Sequence, residues 1–511
     1  MKKIYSVLKL LSLSGLIVFT VTACFSNKDN TGNDNTVNKN EDKIIRFGIY
    51  NVAVTLDPRY ATDAISSRIN RLIYQRLVNF DKNTLAIAAI ATWKQITPKH
   101  FQFNLVGSPK FHHGKPLSMI DVKSTYDDIL YNKNKVSPHR NTLQHIESIK
   151  LIDNKTLDFH LSREDSLFPT LLIHGILPDD LLKKSHPFNI KPIGSGEFEF
   201  LSWPNDSKII LKRLSDNQQF EFHSVKDPTV RILKLIKGEV DLIQNNLPSE
   251  QIRFLKLYEG LNYNQIEGSN YAYIGINHQD KILSNLKIRQ AIAMAIDRDK
   301  IIQFVLGNAA IKANGFFPDF HWLSGETIKQ LDYNPKKAME IMQSLGFSLE
   351  KPLKLTFKTS SNPFSIRKAA VFQAQLAKVG IQLEIKSYDW GTFYGDIKSG
   401  KFQLYSLEWV GVKTPDIYRY VFHSESVPPK GANRGRLIDK IVDELIEKAE
   451  KSQQLSSKEA LYSELQRVLT EKLAYISLWY QSNIVFYHNN ISGYEIANDG
   501  SYDGLKTIQK Q

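Results

Sequence analysis

The sequence predicts a mixed α/β fold with more than one lobe. Three observations carry that reading. The stretches 353–357 and 381–385 alternate like strands and enclose a helical stretch from about 365 to 378, which makes a βαβ unit. Residues 101–105 and 156–161 alternate with period two, as half-buried strands do. A chain of 511 residues, 42% apolar and 23% charged, is long enough for a large core and for more than one lobe.

The elements follow in order. Residues 44–49 (Ile44 to Ile49) read as a buried strand where order begins. The stretch 288–306 reads as one helix, with Ile288, Ala291, Ile292, Ala295, Ile296 and Ile302 on neighbouring turns. Asn334 and Pro335 start a further helix, with Asn as cap and Pro at the first helical position. Two long helices are expected over 437–450 and 457–472, the second opened by a capping box between Ser456 and Glu459. There is no internal repeat at solenoid period.

The single cysteine, Cys24, sits directly after Val21, Thr22 and Ala23. Before it lie Lys2, Lys3 and Lys9 and an apolar run from Leu10. That run is too short to span a membrane, which takes about 20 apolar residues. The layout resembles a bacterial lipoprotein signal, cleaved before a cysteine whose sulfur is then lipidated. It implies a signal peptide over 1–23 and a mature chain tethered at Cys24. Residues 26–42 are rich in Asn, Asp, Thr and Lys and nearly free of apolar side chains, so 24–43 reads as anchor and flexible spacer. One cysteine cannot form a disulfide within the chain, so stability must come from the core. The expected location is the cell envelope, with the folded part in the periplasm or on the outer face of the cytoplasmic membrane.

The formal charge is +13, and loss of the three leader lysines leaves +10. The basic residues are scattered, without an arginine-rich arm or zinc finger, so no nucleic-acid partner is expected. Enzyme readings fare no better. Gly194-Ser195-Gly196 lacks the rest of a dinucleotide loop, and no phosphate loop or Gly-x-Ser-x-Gly elbow is present. His112 and His113 read as loop residues, since no zinc pattern accompanies them. No catalytic residue, metal or cofactor is assigned.

Several segments together resemble one family, the dipeptide and oligopeptide type of extracellular solute-binding proteins that serve ABC importers (solute-binding family 5). Thr55-Leu56-Asp57-Pro58, Asp63 and Ile73-Tyr74-Gln75-Arg76-Leu77-Val78 are similar to its opening. Phe111 to Leu117 with Asp121-Val122, Pro192 to Phe198, and Lys237-Gly238-Glu239-Val240-Asp241 resemble its next three elements. Tyr273 to Asn277, then Ile288-Arg289-Gln290-Ala291 with Ala295-Ile296-Asp297-Arg298, give the best match. The resemblance spans about 44–494.

It implies a two-lobed periplasmic binding protein of type II with an extra subdomain in the first lobe. The expected division is 44–56, 186–268 and 484–511 for lobe I, 57–185 for the extra subdomain, and 269–483 for lobe II. It also implies a monomer that closes over a ligand and hands it to a permease and ATPase pair, without chemical change. The ligand would be a peptide, or a non-peptide such as a metal chelate, haem, opine or sugar. An envelope hydrolase or assembly lipoprotein is the other class.

Ligand contacts are carried over by position. Trp409 is a candidate cleft wall. Family members often meet a ligand amine with an Asp at about position 412, and Val412 stands there, followed by Lys413. Either Glu408 or Asp416 supplies the charge, or the ligand has no free amine at that end. Arg419 and His423 are candidates for a ligand carboxylate. Gly431, Asn433 and Arg434 fall on the family's loop that approaches the ligand backbone. Asp57, Gly114, Gly196, Asp241, Arg289 and Asp297 are expected to be structural.

Overall fold

The computed structural model describes residues 43–511 apart from 206 and 325–327. The leader, Cys24 and most of the spacer lie outside these residues. No helix among them is long and apolar enough to cross a membrane.

Two long antiparallel strands, Leu261–Ile276 and Tyr475–His488, organise the molecule. Their register slips between Ile266 and Asn270. Such an irregularity bends a strand and strengthens its twist. On one side of the slip, Tyr487 to Val485 pair with the strand Leu242–Gln244. Beyond it lie Ile45–Ile49, Gln219–Ser224, Lys208–Arg213 and Phe198–Asn205. On the other side, Tyr271 to Ile276 pair with Leu404–Trp409. Beyond that come the parallel pair Leu353–Ser360 and Ile381–Tyr388. The eleven-stranded sheet, ten strands along its path and Ala310–Lys312 paired beside it, therefore consists of two half-sheets held together by two strands. This is the two-lobed type II architecture.

Each half-sheet has its own core. Phe47, Phe222, Leu242 and Tyr502 pack in the first. Ile274, Ile292, Phe357, Phe372 and Trp479 pack in the second, beside a cluster of Tyr271, Tyr273, Phe316 and Tyr418. A separate antiparallel sheet is ordered Ala91–Thr97, His100–Leu105, Thr156–Leu161 and Ile146–Leu151. It packs Phe101, Phe103 and Phe159 against Tyr126 of the helix Met119–Tyr131. Its core begins at Leu77 and ends at Ile176. The stretch 57–76, expected in the extra subdomain, packs elsewhere: Ile65, Ile69, Leu72 and Ile73 belong to the first lobe's core. The reason lies in the helix Ala64–Ile73, whose apolar stripe covers the first half-sheet.

Local chemistry accounts for most boundaries. Asn334 caps Pro335–Ser344 by accepting from the Lys337 amide at 3.0 Å. Asn362 does the same for Pro363–Ala377, the helix of the βαβ unit, with Pro363 at its first position. Gly194 and Gly196 lie against the backbone of 72–73, where a Cβ would fall 2.0 Å from Ile73 O and 2.3 Å from Leu72 O. No other residue fits there.

Two helix expectations need correction. The stretch 288–306 is not one helix. Leu286–Ala295 ends as Ile296 turns extended, and the Asp297 carboxylate caps a new turn by accepting from Lys300 N at 3.0 Å. Capping is what a short acidic side chain does best, and here it outweighs the apolar periodicity. The helix expected from 457 begins at Leu455, with Gln454 as its cap and no capping bond. Ser456 already lies inside its first turn, so the Ser456–Glu459 box does not form.

Candidate ligand-binding cleft

A cavity of about 640 Å³ opens between the lobes. One wall is the segment that follows the strand Leu404–Trp409, from Trp409 to Ile417. The facing wall combines the helix Ala64–Ile73, the subdomain residues His139 and His174, and the C-terminal turn with Asp499 and Ser501. Asp63 caps that helix by accepting from Ser66 N at 2.8 Å, and it lines the cavity too.

Most charges on these walls neutralise each other. Arg71 makes a bidentate contact with Asp503, with Nε–Oδ1 at 2.8 Å and Nη2–Oδ2 at 2.5 Å. Its Nη1 reaches Asp499 at 3.3 Å. Lys413 crosses from the second lobe to put Nζ 2.5 Å from the same Asp499 oxygen. Burial alone would raise the Asp499 carboxyl, but Lys413 and Arg71 outweigh it and hold the carboxyl far below the usual range. Burial lowers the Lys413 amine, and Asp499 offsets part of that. The Lys413–Asp499–Arg71 group is therefore an electrostatic tie between lobes.

Four charged side chains lining the same cavity make no ion pair among the described residues: Arg68, which lies 5.5 Å from the Tyr502 ring centre, Asp63, the helix cap, and Arg76 and Asp416. Arg76 donates from Nε to Asn79 Oδ1 at 2.7 Å, and among the described residues no carboxylate pairs with it. Burial, then repulsion from Arg71, lowers its guanidinium to about 10. The His139 and His174 ring centres lie 4.5 Å apart with 46° between their planes, and burial lowers both; His174, also beside His139 and Arg76, falls to about 3. Both imidazoles are thus neutral near pH 7. Opposite in sign is Asp416. Its carboxyl reaches the water of the cavity yet is ringed by protein, and it rises to about 6 through that crowding and repulsion from Asp165 and Glu450. Its one hydrogen bond is from the Thr414 hydroxyl.

Comparison with known proteins assigns the architecture. The family description for bacterial extracellular solute-binding proteins, family 5 (middle region) matches residues 86–428. The chain belongs to this family. It is 25% identical over 472 residues to the dipeptide-binding protein of Escherichia coli (strain K12), covering 84% of this chain and 88% of that one. Two solved structures share its fold. The Helicobacter pylori periplasmic binding protein DppA, in complex with the peptide STSA, has a TM-score of 0.74 at 24% identity, covering 92% of this chain and 99% of that one. NikZ from Campylobacter jejuni, in complex with Ni(L-His), has a TM-score of 0.76 at 22% identity, covering 92% and 100%.

In this family 5 chain the expected ligand groups scatter. Trp409, Val412, Lys413 and Asp416 do line the cavity. Trp409 carries the Arg434 guanidinium 4.6 Å above its ring and stacks on Tyr273. Val412 is buried among the apolar residues of the second lobe. The other six expected residues are not among those lining the cavity. Glu408 pairs with Lys368 at 3.2 Å, and Arg419 pairs with Glu450 at 2.8 Å. His423 is buried with its Nε2 3.4 Å from Glu447. Gly431 packs on Ser426. Asn433 ties three backbone carbonyls, those of Phe422, His423 and Leu437. Arg434 donates to the Tyr273 and Tyr394 hydroxyls.

Sequence reasoning passed over Arg71, Arg76, His139, His174 and Asp499. Arg76 offered a signal, being a lone charge in the apolar run from Ile73 to Val78. Asp499 offered none, since Asn498-Asp499-Gly500 reads as an ordinary turn. The expected structural residues do behave so. Arg289, for one, donates to the carbonyls of Leu283, Ser284 and Lys472.

Proposed function

We propose that this family 5 protein captures peptides between its lobes and delivers them unchanged to a membrane permease. One observation carries the ligand class: a single cavity presents an unpaired guanidinium, Arg76, and an unpaired carboxylate, Asp416. Asp416 is exposed and Arg76 half-buried, and lobes closing over either would bury a charge without a partner, which is costly. A zwitterion cancels both costs, with its carboxylate at Arg76 and its amine at Asp416. Trp409 supplies an apolar wall for side chains. Asp416 thus takes the role that Val412 cannot. Closure would bend the long strands at the slip between Ile266 and Asn270, with lobe II running over 269–483. Lipidation at Cys24 would hold the protein, as a monomer, in the cell envelope beside its permease and ATPase.

Native mass spectrometry of the purified protein lacking residues 1–24 tests this. Peptides released on denaturation would support it, and their length would report the cleft's capacity. One observation favours a second reading. His139 and His174 put neutral imidazoles in the cavity, a donor set for a metal chelate, and the structural neighbour NikZ holds Ni(L-His). A single metal-containing mass in place of peptides would move the assignment there.

A further inference from the structure

We propose that His100, Asp158 and His160 form a divalent transition-metal site on the subdomain sheet, separate from the cleft. None of the three lines the cavity, so the inference stands apart from the peptide reading.

The sheet register builds the cluster. His100 lies directly opposite His160 across the antiparallel pair of strands. Asp158 precedes His160 by two residues and shares its face. Phe101, Phe103 and Phe159 occupy the opposite face, in the subdomain core. The two imidazoles stack at 4.3 Å with 21° between their planes. One ligand atom from each residue can be chosen so that all three lie within 4.8 Å of one another. His100 Nε2 and Asp158 Oδ2 are 3.1 Å apart. Around a zinc ion with bonds of about 2.0–2.1 Å, tetrahedral ligand atoms stand about 3.4 Å from each other. One edge of the polyhedron is therefore in place, and a tilt of the stacked rings completes the face.

The His100–Asp158 pair is close but not hydrogen-bonded. His100 Nε2 is sealed from solvent and makes no hydrogen bond, although the carboxylate oxygen is within reach. That approach alone is not diagnostic, since His145 and Asp165 share it at 3.2 Å; the second imidazole, His160, sets the Asp158 cluster apart. The other carboxylate oxygen, Oδ1, accepts from Gln102 Nε2 at 3.0 Å. This second bond fixes the carboxylate and leaves Oδ2 turned toward the imidazoles, the outer support that metal-binding carboxylates have. Lys150, directly opposite Asp158 on the neighbouring strand, is the nearby opposing charge, so the site must outcompete it for Oδ2. Two imidazoles and one carboxylate suit zinc, cobalt, nickel or copper rather than calcium or magnesium.

The test uses untagged protein lacking residues 1–24, titrated calorimetrically with zinc, with cobalt as a spectroscopic stand-in. The wild type should bind zinc and develop visible cobalt absorption. His160→Asn and Asp158→Asn should each weaken zinc tenfold or more and abolish the cobalt spectrum, with Gln102→Ala costing less. His186→Asn, outside both the cluster and the cleft, should leave both readouts unchanged. A circular dichroism melt checks that each variant is folded, and His100→Asn serves as the second ligand variant should one fail. Zinc binding that survives in folded His160→Asn and His100→Asn, or a wild type that binds no zinc, would overturn the site.

Discussion

The cleft has two kinds of charged residue, and the difference between them decides which ones a ligand can use. Arg71 and Lys413 are cations on the cavity wall, and both are consumed by Asp499 and Asp503. Arg76, in the turn after the helix that carries Arg71, has no carboxylate. Glu408 and Asp416 differ in the same way. The first is paired with Lys368, and the second faces the cavity with only a hydroxyl for company. Charge near a cleft is thus a poor guide to ligand contact. Charge lacking a partner is a better one, because the protein has left its desolvation cost to be met by something else.

The largest effect should come from breaking that contrast at Arg76. Arg76→Met should weaken peptide binding by about 2–5 kcal/mol, as loss of one partner of a buried charge pair does, while the melting temperature of the ligand-free protein holds or rises. Calorimetric titration with a copurified peptide measures the first and a thermal melt the second. A sharp fall in melting temperature with affinity intact would make Arg76 structural.

Trp409→Ala should cost about 2 kcal/mol of affinity, in the range of aromatic anchors. Because Trp409 also carries Arg434 and stacks on Tyr273, a modest loss of stability should accompany it.

Asp416→Asn sharpens the comparison through pH. The Asp416 carboxyl is raised to about 6 in the folded protein, so folding takes up a proton between the ordinary carboxylate range near 4 and that value. Its contribution to stability is fully present below that window and is lost as pH rises through it. The Asn variant should remove this dependence and be more stable at pH 7. It should also lose affinity for peptides with a free amine, and the wild type should bind them more weakly at pH 5 than at pH 7. Flat affinity across that range would detach Asp416 from the ligand.

Smaller effects are expected from the paired charges. Lys413→Met removes an interlobe tie and should shift the closed state by about 1 kcal/mol, read as faster peptide release. Arg419→Ala, which frees Glu450, should leave affinity unchanged and cost about 0.2–1 kcal/mol of stability.

Much of the fold was legible because its signals are local. The strands at 101–105 and 156–161, the βαβ unit and the Asn334 cap all rest on neighbouring residues. Failures came where a local cap outweighed a periodicity or where a long-range contact took over. Asp297 breaks a periodic apolar run, and residues 57–76 join a core whose other members lie far along the chain. The site was harder still. Trp409, Lys413 and Asp416 were found because one segment happens to form a wall. Arg419, His423 and Arg434 have the right chemistry, but Glu450, Glu447 and two tyrosine hydroxyls claim them, and no sequence pattern announces those partners. Arg76 was passed over for the converse reason, since a missing partner is visible only in three dimensions.

The most direct test of the central claim is a competition on native mass spectrometry. A mixed tripeptide pool would be offered unblocked, N-acetylated and C-amidated. Capture of the unblocked peptides, with each block costing tenfold or more, is the result expected of a cavity that pairs Arg76 with a carboxylate and Asp416 with an amine. Equal capture of blocked and unblocked peptides would contradict it.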